Sequence, residues 1–120
     1  MHHVLISIAS NYLQESHLSK AHEALAQVLH YPVYTKQIWT EPLGTGSRPN
    51  VLYLNQLVSA ETTLDASQLI NELKQIERAL GRTAELRSQG LVPIDLDLLL
   101  HDDQRFHLRD WERPYVKQLL

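Results

Sequence analysis

Hydrophobic and polar residues alternate along four stretches of the chain, and this period of two predicts four β-strands. The stretches cover 4–9, 33–40, 51–60 and 94–100. Successive side chains of a strand point to opposite faces of a sheet, so each stretch presents one apolar face for burial. The sequence therefore predicts a sheet of at least four strands.

Two stretches between the strands have apolar residues every three or four positions, which predicts two amphipathic helices. They cover 15–29 and 66–80. Asp65 is a suitable N-cap for the second helix, and Gly81 is a suitable residue to end it. Each predicted helix connects two predicted strands.

The remaining segments are short, and they complete the predicted fold. Residues 82–93 are expected to be irregular, whereas apolar residues spaced by four within 108–120 predict a last short helix. The order βαββαβ indicates an α+β fold, a ferredoxin-like sandwich with both helices on one face of an antiparallel sheet. The opposite face of such a sheet is free to carry a binding site.

Composition narrows the possible functions. The chain has 120 residues, which predicts one domain over 1–120. It has no cysteine, a net charge of −3 and no apolar stretch of membrane-spanning length, so we expect a cytoplasmic protein that binds neither nucleic acid nor membrane. The seven histidines lack the spacing of metal ligands and are interpreted as solvated or packing residues. A monomer is expected, although no sequence feature fixes the oligomeric state.

The last predicted strand holds two carboxylates inside an apolar run. Asp95 and Asp97 share one face, with roughly 6.5 to 7 Å between their α-carbons, while Leu96, Leu98 and Leu100 point to the other face. Two unpaired anions at this distance repel each other, and a divalent cation bound to phosphate oxygens would relieve the repulsion. The alternative is an ordinary half-exposed strand with a solvated polar face. Spacing alone does not decide between them.

Two further features are open to a functional or an ordinary interpretation. The segment 42–49 is rich in glycine and proline, so it is either a binding loop or a plain surface hairpin. Asn55 lies among apolar strand residues, and its carboxamide either pairs with a heterocycle edge or makes a local backbone contact. The two interpretations are equally compatible with the sequence.

Five short blocks occur in a characteristic order and spacing. They are Ser10-Asn11, Thr40-Glu41-Pro42-Leu43-Gly44, Tyr53-Leu54-Asn55, Ala79-Leu80-Gly81-Arg82 and Ile94-Asp95-Leu96-Asp97-Leu98-Leu99-Leu100. Together they resemble one enzyme family, the 6-hydroxymethyl-7,8-dihydropterin pyrophosphokinases of folate biosynthesis. The resemblance extends over most of the chain, from about Val4 to Leu100.

The resemblance implies a ferredoxin-like kinase that passes diphosphate from ATP to the hydroxymethyl group of a reduced pterin. It implies two Mg²⁺ ions held with ATP by the paired aspartates. The implied catalytic residues are Asp95, Asp97 and Arg82, and the implied metal ligands are Asp95 and Asp97. The implied pterin-binding residues are Thr40, Pro42, Leu43, Tyr53 and Asn55. The implied nucleotide-binding residues are Glu77, Arg82, Arg87 and Arg113.

Three functional hypotheses follow. The first is an active, shortened pyrophosphokinase that uses ATP and a reduced pterin. The second is a catalytically weak relative that binds nucleotide or pterin, because the chain has fewer arginines between Arg82 and Asp95 than the family usually carries. The third is a ferredoxin-like interaction module without a small-molecule site.

Overall fold

The computed structural model describes residues 1–42 and 51–120, and it has the predicted ferredoxin-like α+β architecture. The strands are β1 (His2–Ser10), β2 (His30–Tyr34), β3 (Ile38–Thr40), β4 (Tyr53–Thr62), β5 (Asp95–His101) and β6 (Gln104–Arg105). The helices are α1 (Gln14–Leu25), α2 (Ala66–Ala79), α3 (Ala84–Ser88) and α4 (Pro114–Leu119), with a 3₁₀ turn at Asp110–Glu112. In the described part of the chain, no helix is long and apolar enough to span a membrane.

The sheet is antiparallel, and its first and last long strands lie side by side in the middle. The strand order is β2-β4-β1-β5-β6, with β3 beside β2 along the same edge of β4. Because β1 pairs with both β4 and β5, side chains from distant parts of the chain lie next to one another across these three strands. This arrangement positions the site described below.

Two hydrophobic clusters lie on opposite faces of the sheet. The larger cluster packs α1 and α2 against β1, β4 and β5, and it buries Ile6, Leu18, Leu73 and Leu96 almost completely. Burial of one such side chain contributes about 1.5 to 3 kcal/mol. The smaller cluster packs α4 against the other face around Leu57 and Leu99. The short C-terminal helix therefore covers only part of the open face.

The second helix is stabilised by the predicted cap. Asp65 accepts a hydrogen bond from the Gln68 backbone at 2.8 Å, and the Gln68 side chain accepts one from the Asp65 backbone at 2.9 Å. This reciprocal pair satisfies two backbone donors that the first helical turn would leave open. The helix ends at Ala79, and Gly81 follows with a φ of +102°, a conformation that glycine adopts without strain.

Three expectations about secondary structure were wrong. The stretch 33–40 is not one strand, since β2 ends at Tyr34 and β3 begins at Ile38; β2 also begins earlier, at His30, and is irregular around the left-handed Tyr31. The first helix ends at Leu25 instead of 29, and a short helix forms within 82–93, where Thr83 caps it by accepting from Leu86. Helix ends and capped single turns carry little periodic signal.

A β-bulge changes the facing of the last residues of β5. Ile6 pairs with Leu98 and Leu5 pairs with Leu100, so Leu99 is an extra residue without a partner on β1. Leu100 consequently lies on the same face as Leu5, the open one, and not with Leu98 as expected. Leu99 keeps the open face of Asp95 and Asp97 and packs in the cluster under α4.

Asn11 fastens the end of β1 to the segment that leads into β5. Its side chain donates to the Gly90 carbonyl at 2.9 Å and accepts from the Val92 amide at 2.5 Å, while its backbone amide donates to the Val92 carbonyl at 3.0 Å. The side chain is almost completely buried, so the backbone groups it contacts have little access to water. The contact ties the end of β1 to the residues just before β5.

We expect Asn11→Ala to lower the free energy of unfolding by about 2 to 3 kcal/mol, because two partly buried backbone groups lose their partner. Urea denaturation measures the change. Asn71→Ala, at an exposed position of α2, is the matched control and should change stability by less than about 0.5 kcal/mol. Equal effects of the two substitutions would contradict the assigned role of Asn11.

Candidate functional site

The carboxylates of β5 lie on the open face of the sheet, as the alternation predicts. In the strand register, Asp95 is opposite Ala9 and Asp97 is opposite Ser7 on β1, and Ala9 is in turn opposite Asn55 on β4. The small side chains of Ser7 and Ala9 leave space between the side chains of β4 and those of β5, the two strands that flank β1. Adjacent strands are about 4.8 Å apart, so the floor from Asn55 to Asp95 is roughly 10 Å wide.

A polar cavity of about 200 Å³ opens above this floor. Strands β1, β3, β4 and β5 supply its floor, and the 3₁₀ turn and α4 supply one wall. The lining residues are Ser7, Ala9, Thr40, Glu41, Tyr53, Asn55, Asp95, Asp97, Asp110, Arg113 and Tyr115. Four of these are acids and one is basic, so the described part of the cavity is strongly negative.

The two β5 carboxyls interact directly. A hydrogen bond joins Asp97 to Asp95, and the Asp97 side chain is only 19% exposed. Burial, followed by the nearby Asp95 and Asp110 charges, raises the pKa of Asp97 to about 7. Near neutral pH the pair thus shares a proton that a bound cation would replace.

Arg82 fixes the orientation of Asp95. Its guanidinium contacts Asp95 Oδ1 at 3.0 Å and Glu77 Oε2 at 3.0 Å. Glu77 is buried beneath β5, where its carboxylate accepts a hydrogen bond from the Leu96 amide at 2.8 Å. Burial raises the pKa of Glu77, while the Leu96 amide and the Arg82 charge oppose the rise. Arg82 therefore joins α2 to one of the two cavity carboxylates.

Asn55 is held by local contacts while it lines the cavity. Its amide nitrogen donates to Thr40 Oγ1 at 2.8 Å and to the Ile38 carbonyl at 3.3 Å. These contacts agree with the local interpretation of the buried carboxamide. They also fix its orientation toward the cavity beside Tyr53.

The wall formed by the C-terminal segment contributes residues that the sequence did not predict. Asp110 accepts from Arg113 Nε at 3.1 Å, and Tyr115 hydrogen-bonds with Ser7 on β1. His107 lies with its Nε2 at 3.7 Å from Asp97 Oδ1. In the sequence, an acid three residues before an arginine at a helix start is only a weak signal for a functional site. His107 has no such signal, because its position depends on the turn after β6.

Six of the predicted site residues converge on the cavity, and the others lie elsewhere. The six are Thr40, Tyr53, Asn55, Asp95, Asp97 and Arg113. Arg82 and Glu77 lie behind Asp95, and Pro42 is half-buried outside the cavity lining. Arg87 is exposed in the last turn of α3 and also lies outside the lining. Leu43 falls outside the described residues.

A second, larger cavity lies on the same face but has a different character. It measures about 460 Å³ and is lined mainly by apolar side chains, among them Leu5, Leu57, Leu100 and Trp111. It has no acidic side chain among its lining residues. Size alone would favour it as a ligand site, but the cavity with the carboxylate pair has the groups required for chemistry.

The donor set of the smaller cavity suits a hard divalent cation. Mg²⁺ prefers carboxylate oxygens and phosphate oxygens as ligands. Asp95 and Asp97 supply two carboxylates on one strand face, and the pKa of Asp97 is raised first by burial and then by the Asp95 charge, so ionising both carboxyls is unfavourable without a cation. Neighbouring acids Glu41 and Asp110 would repel a free polyphosphate, so an anionic substrate needs cations to enter.

Comparison with known proteins identifies the family. The fold and cavity define a small α+β domain with an acidic site on the open face of its sheet. The model of the 7,8-dihydro-6-hydroxymethylpterin-pyrophosphokinase (HPPK) family matches residues 5–120. The chain belongs to this family, as its sequence blocks indicated.

Curated relatives agree with the family match. The chain is 34% identical over 125 residues to the mitochondrial "Folate synthesis bifunctional protein" of Pisum sativum, covering 94% of this chain and 23% of that protein. It is 33% identical over 133 residues to the "2-amino-4-hydroxy-6-hydroxymethyldihydropteridine pyrophosphokinase" of Porphyromonas gingivalis, covering 98% of this chain and 87% of that protein. The chain thus spans less than a quarter of the pea protein and most of the bacterial one.

The carboxyl pair predicts an unusual pH dependence of stability. Since the folded-state pKa of Asp97 is above the value of 3.8 for a free carboxyl, the folded protein retains a proton that the unfolded chain releases between pH ~4 and ~7. We expect the free energy of unfolding to fall through this window in EDTA. Asp97→Asn should be more stable than wild type at pH 8, by up to about 4 kcal/mol, and of similar stability near pH 4.

Urea denaturation at several pH values measures this difference. Asp103→Asn removes the same charge from an exposed position in the β5–β6 turn and should keep the wild-type profile. If the free energy of unfolding depends on pH in the same way in Asp97→Asn and Asp103→Asn, the pKa of Asp97 is not raised in the folded protein.

Arg82 should contribute to stability through its two acidic partners. Arg82→Ala leaves the buried Glu77 without its guanidinium partner, and we expect a loss of about 2 kcal/mol, a value reduced because Arg82 and Asp95 are partly exposed. Thermal or urea denaturation measures it. Arg78→Ala, at an exposed position of the same helix, is the control; a loss no larger than that of the control would contradict the contact.

Proposed function

We propose that the chain transfers diphosphate from ATP to 6-hydroxymethyl-7,8-dihydropterin, with AMP as the second product. The observation that carries the proposal is the Asp95–Asp97 pair in one cavity with Asn55. Membership of the HPPK family and the printed name of the Porphyromonas gingivalis relative support the same activity. Both substrates are small molecules, and no nucleic acid or membrane takes part.

The pterin end of the proposed site is the β3–β4 side of the cavity. Asn55 is held by Thr40, so its amide is oriented before the substrate arrives. Tyr53 supplies a ring on the same side, which suits stacking on a heterocycle. The floor of roughly 10 Å between Asn55 and Asp95 accommodates a bicyclic ring whose hydroxymethyl group points toward the carboxylates.

The phosphate end is the β5 side. Asp95 and Asp97 would hold two Mg²⁺ ions on the triphosphate. When bound, these ions neutralise phosphate charge and polarise the attacked phosphorus. Arg82 and Glu77 act as positioning residues in this proposal, since they keep Asp95 aimed at the cavity. Arg113 supplies a guanidinium to the cavity lining, where it pairs with Asp110. In this proposal Arg113 leaves Asp110 and contacts a phosphate oxygen of the bound nucleotide.

The proposed chemistry asks for alignment and needs no covalent protein group. The cavity holds the pterin hydroxyl in line with the phosphorus, and the wall formed by Asp110, Arg113 and Tyr115 limits access of water. A cytoplasmic location is part of the proposal and is supported by the lack of cysteine. Roles for Pro42, Leu43 and Arg87, and the monomeric state, stay predictions.

We expect AMP to form when the protein is mixed with ATP, Mg²⁺ and 6-hydroxymethyl-7,8-dihydropterin, and not when the pterin is omitted. Phosphorus NMR follows the products. Asp97→Asn should lower the rate about 100-fold or more, in the range found when one well-placed charge-stabilising group is lost. Asp103→Asn is the matched control and should keep the wild-type rate.

Absence of AMP at stoichiometric enzyme, with ATP and pterin still raising the melting temperature, would replace the proposal by substrate binding without turnover. If neither substrate shifts the melting temperature, the chain is an interaction module. An unchanged rate for Asp97→Asn would exclude the carboxyl pair as the metal site.

A further inference from the structure

Two histidines and an aspartate meet at the end of the sheet opposite the carboxyl pair. His2 is the first residue of β1, His101 is the last residue of β5, and Asp102 begins the turn to β6. The nitrogen and oxygen atoms that could bind a metal all lie within 4.8 Å of one another. His101 is six positions from Asp95 and four positions from Asp97, which is roughly 20 Å and roughly 13 Å along the strand. The cluster is therefore independent of the proposed active site.

His101 is held in the tautomer that a metal ligand needs. Its Nε2 lies 3.0 Å from the Leu64 carbonyl oxygen. A carbonyl can only accept, so Nε2 carries the proton and Nδ1 keeps a free electron pair. Nδ1 faces Asp102, with Oδ2 at 3.9 Å. A histidine whose other ring nitrogen donates to a backbone carbonyl is the usual arrangement in metal sites, and this side chain is only 10% exposed.

Asp102 is fixed by the backbone of β1. Its amide donates to the His3 carbonyl at 2.7 Å, and its Oδ1 accepts from the His3 amide at 2.9 Å. Its φ of +53° is in the left-handed region, which aspartate tolerates better than most residues. The second oxygen, Oδ2, accepts from His2 Nδ1 at 2.6 Å. One carboxylate oxygen is thus used for structure and the other lies between two imidazoles.

The spacing is close to that of a coordinated ion. Tetrahedral bonds of about 2.0 to 2.1 Å place ligand atoms roughly 3.3 Å apart. The observed separations from Asp102 Oδ2, 2.6 Å to His2 and 3.9 Å to His101, fall on either side of that value. The side chains of His2 and Asp102 are each nearly half exposed, so they have room to adjust while His101 stays in place.

We propose that His2, His101 and Asp102 bind a divalent transition-metal ion of the Zn²⁺ type, with solvent at the remaining position. Imidazole nitrogen suits Zn²⁺, Co²⁺, Ni²⁺ and Cu²⁺, whereas Mg²⁺ prefers the all-oxygen pair at the other end of β5. The ion binds His2 Nδ1 in place of the proton, and that proton moves to Nε2 of the same ring. Bound metal ties the start of β1 to the β5–β6 turn.

The test uses the full chain without an affinity tag, freed of metal with EDTA and kept in millimolar Mg²⁺. Co²⁺ is titrated and its visible absorption recorded, and Zn²⁺ binding is measured by calorimetry and by melting temperature. We expect one equivalent of each ion to bind. His2→Ala and Asp102→Asn should weaken binding about 100-fold or more, since loss of even an outer-shell partner costs 10- to 100-fold.

Two controls separate this site from others. His3→Ala removes a neighbouring exposed imidazole outside the cluster, and Asp97→Asn removes the acid at the other end of β5; both should bind Co²⁺ and Zn²⁺ as wild type does. Unchanged affinity in His2→Ala, loss of binding in Asp97→Asn, or no saturable binding by wild type would each overturn the proposal. A Zn²⁺-induced rise in melting temperature in His3→Ala but not in His2→Ala would support it.

Discussion

The alternation of side chains along β5 is the constraint on which the rest of the site depends. It brings Asp95 and Asp97 to one face while Ile94, Leu96 and Leu98 enter the core under α1 and α2. Two carboxylates in contact are unfavourable, and the fold offsets this cost for Asp95 but leaves it in place for Asp97. Asp95 receives Arg82, whereas Asp97 is left in a buried position beside a negative wall. Stability is thereby given up at a place where a bound cation would restore it.

Much of the fold could be predicted from the sequence because its information is periodic. Strands β1, β4 and β5 and helix α2 have strong patterns and clear ends, and Asp65 caps α2 as expected. The break between β2 and β3, the bulge at Leu99 and the short α3 were missed. Each depends on one or two residues whose conformation is set by neighbouring strands, and periodicity has no signal for such positions.

The site was predictable where each residue belongs to a strand whose register follows from the alternation. Thr40, Asn55 and Asp95 meet because β3, β4, β1 and β5 are paired in one sheet. Asp110 and His107 come from irregular segments after β6, and no local pattern marks them. The contact between His2 and His101 joins residues 99 positions apart, and it depends on the antiparallel pairing of β1 with β5. Long-range contacts of this kind require the topology before they can be recognised.

Glu77 also has a consequence for how the molecule behaves in a crowded solution. β5 pairs with β6 only near its end, so its outer side would present unpaired amides to any other chain. The Glu77 carboxylate occupies the Leu96 amide, and at the opposite margin of the sheet Pro32 removes a donor from β2. An exposed edge strand forms backbone hydrogen bonds with strands of other chains, and this pairing starts aggregation. The buried Glu77, which also holds Arg82 beside Asp95, thus protects this edge of the sheet against strand addition by other chains.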